Sequence, residues 1–254
     1  MIGTFANNNI GVLAVSDSGS KEGDGLKLQS IGLGTFKATV TGNTIRQYNN
    51  SGINLTAGGG GAATSGTYEA IVNSNTVGPL GTNTSAAQGQ GIALNGGTQP
   101  GDTWQIYLSI GGNGTNKNTV NNWISASALD DIRVRQRQST TFHLTAENGT
   151  IGYSGGTSDI TAVATFLSTY NTAAHCSASA SGSGGGFTNG APPLLFMPTE
   201  EGGGSSGSCL AASVFASCRG RNHKRSTCRC GLLAPIIPHC LDFFSVLGGG
   251  YHPV

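Results

Sequence analysis

A short asparagine motif recurs along the chain and limits the folds that this sequence can adopt. Its four copies are Asn8-Asn9-Ile10, Asn43-Thr44-Ile45, Asn75-Thr76-Val77 and Asn118-Thr119-Val120. Successive copies are 35, 32 and 43 residues apart. Intervals of this size are typical of repeat proteins in which each repeat forms one unit of a stack. The spacing therefore predicts a β-solenoid.

Each repeat also contains two segments in which apolar and polar residues alternate. One set comes before the asparagine motif and comprises Phe36–Val40, Tyr68–Val72 and Ile106–Ile110. The other set follows it and comprises Leu26–Leu28, Ile53–Leu55, Ile92–Leu94 and Ile132–Val134. Because successive strand residues face opposite sides, the aliphatic residues of the second set point inward. Between them, the outward positions hold Lys27, Asn54, Ala93 and Arg133. Three strands per repeat predict an all-β fold, a right-handed parallel β-helix over residues 1–150.

The repeated asparagines are predicted to form a structural ladder made of Asn8, Asn43, Asn75 and Asn118. Asparagine tolerates left-handed backbone better than most residues, which suits a corner between strands. Identical amides stacked at strand spacing can also donate hydrogen bonds from one coil to the next. We therefore expect a corner residue at each position rather than a ligand-binding one.

Composition narrows the class of protein. Of the 254 residues 42 are glycine, and only 10% are charged, which is typical of secreted or cell-surface β-repeat proteins. The formal net charge of +1 gives no basis for binding nucleic acid or an anionic membrane, and no apolar run is long enough to span a bilayer. No cofactor is predicted. The amino terminus has no signal-peptide pattern, so we expect a fragment of a longer exported chain whose earlier coils and export signal are missing.

The pattern changes after the last repeat. Residues Ser158–Tyr170 have helical periodicity, which predicts a capping helix within residues 151–173. Residues 174–208 are rich in Gly and Ser and predict a linker. Residues 209–254 carry five basic residues and one acid, against 8 and 11 in residues 1–208. This tail is predicted to be disordered or the product of an out-of-frame reading.

The tail also holds five of the six cysteines, and three states are open for them. The first state is a zinc site formed by Cys218, Cys228, Cys230 and Cys240, although these residues do not follow the paired spacing of zinc modules. Disulfides suit an exported protein, since six cysteines including Cys176 is an even number. Free thiols in a disordered tail are the third state.

Few residues are candidates for a functional site. Asp131, Arg133, Arg135 and Arg137 are predicted to form a binding surface on one strand. Asp24 and Asp130 fall in one column of the stack but three coils apart, roughly 14 Å at strand spacing, which is too far for a glycosidase acid/base pair. No catalytic residue and no metal site is therefore predicted. Trp104 and Trp123 are expected in packing rather than as sugar platforms, and His143 is expected to point outward into solvent.

The stretch from Thr39 to Tyr170 resembles the bacterial right-handed parallel β-helix repeat proteins. The resemblance rests on the segment Asp131–Arg137, the helix around Ala162–Leu167 and the Gly-rich end. It implies an exported or surface protein, and some relatives of the fold are polysaccharide lyases or hydrolases; a lyase would use an Arg base such as Arg133 or Arg135. Two functions are open: a non-catalytic structural or adhesive protein that binds glycans or proteins along its side, and a polysaccharide-active enzyme.

Overall fold

The computed structural model describes residues 1–81, 89–122 and 129–190. In chain order the strands are β1 (Ile2–Ala6), β2 (Asn9–Ile10), β3 (Leu26–Ser30), β4 (Gly34–Thr41), β5 (Thr44–Ile45), β6 (Ile53–Ala57), β7 (Ser65–Asn73), β8 (Thr76–Val77), β9 (Ile92–Gly96), β10 (Thr103–Ile110), β11 (Thr119–Val120), β12 (Ile132–Gln136), β13 (Thr141–Ala146), β14 (Ile151–Gly152), β15 (Cys176–Ala180) and β16 (Gly186–Asn189). The α-helix, α1, spans Ile160–Tyr170, and two 3-10 turns span Gly114–Asn116 and Glu147–Gly149.

The strands form three stacked sheets, and the chain passes through them in turn. Sheet 1 has the order β1-β4-β7-β10-β13, and both β14 and β16 pair with β13. Sheet 2 has the order β11-β8-β5-β2, and sheet 3 has the order β15-β12-β9-β6-β3. The pairings are parallel except that of β13 with β14. This arrangement is a parallel β-helix, so the predicted fold class is confirmed.

The core forms because equivalent residues of successive coils lie directly above one another. In sheet 3, Leu26 pairs with Ile53, Ile53 with Ile92, and Ile92 with Ile132. The last three are completely buried. Each fully buried aliphatic side chain contributes about 1.5–3 kcal/mol. The alternation that the sequence predicts for this strand therefore supplies one continuous column of the core.

Glycine precedes three strands of sheet 3 because the ladder's aliphatic residues pack there. A Cβ on Gly25, Gly52 or Gly91 would lie 2.4, 2.3 or 2.2 Å from a methyl carbon of the next coil. Those methyl carbons belong to Ile45, Val77 and Val120, the last residues of the asparagine motifs. The absence of a side chain at each glycine therefore leaves room for the Ile or Val of the asparagine motif.

The asparagine ladder is present and continues beyond the predicted positions. Each rung donates from Nδ2 to Oδ1 of the next, over 2.8 Å for Asn8 to Asn43, 2.9 Å for Asn43 to Asn75, 2.9 Å for Asn75 to Asn118 and 2.7 Å for Asn118 to Asn171. The rung's backbone N–H donates to the same oxygen. Asn8 is exposed, whereas the other rungs are buried. The fifth rung, Asn171, was not among the predicted rungs.

At the first three rungs the left-handed corner lies one residue earlier than predicted, whereas Lys117, before the fourth rung, has a φ of −63°. Positive φ values occur at Asn7 (57°), Gly42 (66°) and Ser74 (57°), each directly before a rung. The rungs themselves are not among the residues with positive φ. Asparagine is needed at the rung for its amide, and in the first three coils the left-handed conformation falls on the residue before it.

The carboxyl-terminal coil corrects the predicted domain boundaries. Helix α1 begins after Asp159, whose carboxylate accepts a hydrogen bond from the Ala162 N–H at 2.8 Å. Its buried residues are Val163, Phe166 and Leu167, and they join the core. The chain then returns to the stack: β15 pairs with β12 and β16 with β13. Residues 176–189, predicted as linker, are therefore part of the β-helix.

The linker prediction failed because strand formation there depends on tertiary contacts. Cys176 and Ala178 are small apolar residues that alternate with serines, and they extend the inward columns to which Ile132 and Val134 belong. The exposed edge of β12 supplies hydrogen bonds that composition does not reveal. Residues 191–254, with the rest of the predicted linker and the whole cysteine-rich tail, lie outside the described residues.

Removing an internal rung is expected to destabilise the protein more than removing the end rung. Asn75→Ala deletes the acceptor of two N–H groups of Asn43 and the donor to Val40 O, all of them buried. Unpaired buried polar groups cost about 1–3 kcal/mol each, so we expect a loss of about 3 kcal/mol or more. Asn8→Ala removes one side-chain donor at the exposed end and should cost about 1 kcal/mol or less. Guanidinium denaturation of both variants measures the difference, and equal losses would contradict a ladder role.

Candidate functional site

The outer face of β12 and the residue after it carry three half-buried arginines, which we call the arginine row. Arg133 and Arg135 lie on the strand, and Arg137 follows directly after its end. The described residues include the ion pairs Lys37–Glu69, at 2.8 Å, and Arg133–Asp130, at 4.0 Å. Burial lowers the pKa of Arg135, and repulsion from Arg133 and Arg137 lowers it further. The row thus concentrates three positive charges against one acid.

Hydroxyl and amide groups border the arginine row on both sides. In the neighbouring strands, Arg133 is level with Ala93 and Ser177, and Arg135 with Asn95 and Ser179. Ala93 was predicted to be outward, and it lies in that column, where it is nevertheless buried. The Asn95 amide donates to Asn54 Oδ1 at 3.3 Å, and Asn54 donates to Asp24 Oδ2 at 2.9 Å. The surface around the row is therefore polar and carries few acids.

Asp131 does not belong to this surface, which corrects the predicted site. It is buried, and its carboxylate accepts hydrogen bonds from the backbone N–H of Asn122 (2.7 Å), Ala174 (2.9 Å) and His175 (3.0 Å). Asp131 precedes the strand, so its side chain turns into the corner instead of following the alternation of β12. Its role is to hold adjacent coils together.

Asp131 stands where the coils before it have glycine. The register of β9 with β12 aligns Gly91 with Asp131. In earlier coils the last residue of the asparagine motif, Ile or Val, packs on the glycine. At the equivalent position, two residues after the rung Asn171, the chain has Ala173. A smaller motif residue leaves room for a side chain at Asp131. The pairing of glycine with Ile or Val, and of Asp with Ala, is the signal in the sequence that distinguishes this corner from the earlier ones.

A buried polar network surrounds this carboxylate. The Tyr48 hydroxyl donates to Asn122 Oδ1 at 2.7 Å, and the Asn122 amide donates to Gly89 O and Asp130 O. Burial raises the pKa of Tyr48, and the nearby Asp131 charge adds to the effect. Burial, with smaller contributions from the two aspartates, also raises the pKa of the free Cys176 thiol to about 12. The network is structural, and the thiol is kept protonated.

The other carboxylates near sheet 3 are also engaged in structural hydrogen bonds. Asp24 accepts from Asn50 Nδ2 and from the Ser51 N–H, in addition to the Asn54 amide. Asp130 accepts from the Ser177 hydroxyl at 2.6 Å. The register separates β3 from β12 by β6 and β9, so Asp24 and Asp130 are three coils apart, as predicted.

The outer face of sheet 1 has a second group of polar side chains. The ring of Tyr107 stacks on His143 with centroids 4.2 Å apart, and His143 Nε2 lies 2.8 Å from Gln105 Oε1. Burial lowers the pKa of His143 against the opposing effect of the Asn189 backbone. His143 therefore faces outward as predicted but is packed between neighbours. Trp104 is buried, and its Nε1 donates to Thr64 Oγ1 at 3.0 Å, which confirms a packing role; Trp123 lies outside the described residues.

An open groove lies beside α1 at the carboxyl-terminal end of the stack. Its volume is about 460 Å³, and its walls include Tyr153, Phe166 and Tyr170 with Asp159 and Thr165. The centroid of the Phe166 ring lies 5.9 Å from that of Tyr153, which it meets edge-on, and 4.9 Å from that of Tyr170. These contacts use the aromatic rings mainly for packing α1 onto the core.

Within the described residues, no group of three or more His, Cys, Asp or Glu side chains could hold a metal ion. In the same ranges no helix is long and apolar enough to cross a membrane. No family model matches the chain, and no curated protein or solved structure matches it significantly. The resemblance to bacterial β-helix repeat proteins therefore remains a prediction.

Replacing Asp131 is expected to lower stability far more than replacing its neighbour. Asp131→Ala leaves three N–H groups at a buried corner without their acceptor, so we expect a loss of about 3 kcal/mol. The matched control Asp130→Ala removes an accessible carboxylate with one hydroxyl partner and should cost about 1 kcal/mol or less. Thermal denaturation compares the two. If Asp131→Ala leaves the thermal stability unchanged, the carboxylate is not structural, and the predicted place of Asp131 in the binding surface would be supported instead.

Proposed function

We propose that this protein is a non-catalytic β-helix protein, secreted or displayed at the cell surface, that binds an acidic glycan through the arginine row. The observation that carries the proposal is the excess of positive charge there: two arginines lie on β12 and a third directly follows it, and an acid, Asp130, lies 4.0 Å from Arg133. The Gly-rich, weakly charged composition supports a place outside the cell.

The spacing of the row suits a repeating anionic ligand. Side chains at every second residue of a strand are roughly 6.6 Å apart along it. Guanidinium groups bind carboxylates and sulfates with paired hydrogen bonds, in which they differ from lysine. The strand is paired on both sides, by β9 and β15, so the charges are held in place before the ligand arrives. Little ordering is therefore needed on binding.

A glycan fits the surroundings of the row better than a protein partner does. Protein interfaces commonly depend on buried aromatic anchors. The positions level with Arg133 and Arg135 hold Ala93, Asn95 and serines instead. Amides and hydroxyls of this kind hydrogen-bond to sugar hydroxyls while the arginines bind the acidic groups.

A second candidate function is a polysaccharide lyase on the same surface. The observation in its favour is the lowered pKa of Arg135, the direction that an arginine base requires. A lyase with an arginine base would also need acids of neighbouring coils to hold calcium. Asp24, Asp130 and Asp131 are engaged in structural hydrogen bonds, which favours binding without catalysis.

Binding can be tested with polygalacturonate as the acidic probe and dextran as the neutral one. The full chain should bind polygalacturonate and not dextran, and the affinity should fall as salt is added. Combined replacement of Arg133, Arg135 and Arg137 by Gln should weaken binding by about 10- to 100-fold, since each exposed charge pair contributes up to about 1 kcal/mol. Isothermal titration calorimetry measures the affinities.

Lys27→Gln is the matched control, because Lys27 projects from the same face of sheet 3 at the opposite end. It should leave the affinity within about twofold. Unchanged binding in the triple variant, or equal binding of dextran, would refute the proposal. Release of an unsaturated product that absorbs ultraviolet light, lost in Arg135→Gln, would instead establish the lyase.

A further inference from the structure

One corner of the second coil buries an amide whose hydrogen bonds do not balance. Asn49 lies between β5 and β6 and is only 6% exposed. Its Nδ2 lies 2.8 Å from Asp17 Oδ1, 3.0 Å from Ser20 O and 2.8 Å from Lys21 O. An amide nitrogen has two hydrogens, so it cannot give a separate hydrogen to each of the three oxygens. At the other end of the amide, Oδ1 is buried and has no donor among the described residues.

Other buried amides of the stack do balance. Asn122 donates to Gly89 O and Asp130 O, and its Oδ1 accepts from the Tyr48 hydroxyl. The Oδ1 of each internal ladder rung likewise accepts two N–H groups. The corner of Asn49 is different, since Gln47, two residues earlier, also buries an Oε1 without a donor among the described residues. Oxygen acceptors therefore outnumber N–H donors here, which is the condition under which a cation binds.

The spacing of the oxygens around Asn49 suits a calcium ion. A half-turn of the amide exchanges Oδ1 with Nδ2, and Oδ1 then lies 2.8–3.0 Å from the other three oxygens. Calcium binds oxygens at about 2.3–2.6 Å, often as a pentagonal bipyramid. Two oxygens 2.8–3.0 Å apart subtend about 70–80° at an ion about 2.4 Å from each. Neighbouring ligands in the plane of a pentagonal bipyramid are about 72° apart.

The chemistry of these oxygens also favours calcium over other metals. One carboxylate, one amide and two main-chain carbonyls are hard oxygen ligands, whereas zinc sites use nitrogen or sulfur. Magnesium demands near-ideal octahedral geometry and keeps several of its waters. Gly81 leaves room for water ligands, because a Cβ there would lie 2.5 Å from Asp17 Oδ1 and 2.7 Å from Asn49 Oδ1. The set holds one acid, so it differs from the clusters of three or more acids, histidines or cysteines that the described residues lack.

We propose that Asp17, Asn49 and the main-chain carbonyls of Ser20 and Lys21 form a calcium site. The ion ties the loop of residues 11–25, between β2 and β3, to the corner of the next coil. That corner is internal to the stack, because the Gly81 N–H of the third coil donates to the carbonyl beside Asn49 at 2.7 Å. With a single carboxylate we expect a Kd of about 10⁻⁴–10⁻³ M, the range of extracellular calcium modules. The site is independent of the arginine row.

Calcium binding is tested on the full chain with calcium chloride alone, without any glycan. Isothermal titration calorimetry should show one ion bound per chain. Calcium at about 10 mM should raise the melting temperature by about 3–10 °C, because the free ion is then at about 10–100 times Kd. Magnesium chloride should raise it much less, and sodium chloride at equal ionic strength should not reproduce the rise. Absence of saturable binding, or an equal rise with sodium chloride, would overturn the proposal and leave a bound water at these oxygens.

Replacement of the carboxylate locates the ion. Asp17→Asn keeps the shape of the side chain and removes its charge, so the affinity for calcium should fall about tenfold or more. Asp159→Asn is the matched control: it removes one acid at the start of α1, and asparagine still caps the helix. Its affinity should stay within about twofold of the parent. Unchanged binding in Asp17→Asn, or an equal loss in Asp159→Asn, would contradict the site.

Asn49→Asp distinguishes an ion ligand from an ordinary hydrogen-bond donor. A second carboxylate beside Asp17 should lower the melting temperature without calcium, because two acids then repel each other. Calcium should reverse that loss and should bind about fivefold or more tightly than in the parent, since affinity rises with the charge of the ligands. If Asn49 serves only as a donor, the variant loses the same stability with and without calcium. That result would refute its role as a ligand.

Discussion

The hydrogen bond from one buried asparagine amide to the next is the interaction on which the structure depends. Burying an amide without hydrogen-bond partners costs more free energy than a formed hydrogen bond contributes. Each buried rung therefore requires another rung one strand spacing away. Asn43, Asn75 and Asn118 are almost completely buried and could not be accommodated in any other register. The loops between strands vary in length because the rungs, rather than the loops, determine how coils align.

That alignment also determines where the polar surface lies. Once the rungs are level, Gly25, Gly52 and Gly91 fall opposite the aliphatic motif residues, and the strands of sheet 3 begin at the same height. In the fourth coil the substitution of Asp131 for glycine adds a carboxylate that ties the corner to the final coil. The arginine row is therefore presented by a strand that is fixed on both edges.

Much of this could be predicted from the sequence, and the failures have physical reasons. Residues that alternate within a strand, such as Ile53 and Arg133, were placed correctly because the period of two is a local property. The rung Asn171 was missed because α1 lengthens the interval to 53 residues and Ala173 replaces the aliphatic motif residue. Strand β15 resembles a linker in composition and forms only because β12 offers an edge. Asp131 was misplaced because alternation does not extend around a corner.

The uniform direction of the ladder has an electrical consequence. From rung to rung, each amide donates to the Oδ1 of the next rung toward the carboxyl-terminal end, so these hydrogen bonds all have the same direction along the axis of the stack. The positive end of this column meets Leu167 O in the last turn of α1, where the dipole of the helix is negative. The last amide of the ladder and the end of the helix therefore attract each other. Reversing the direction of either one alone would place like partial charges together.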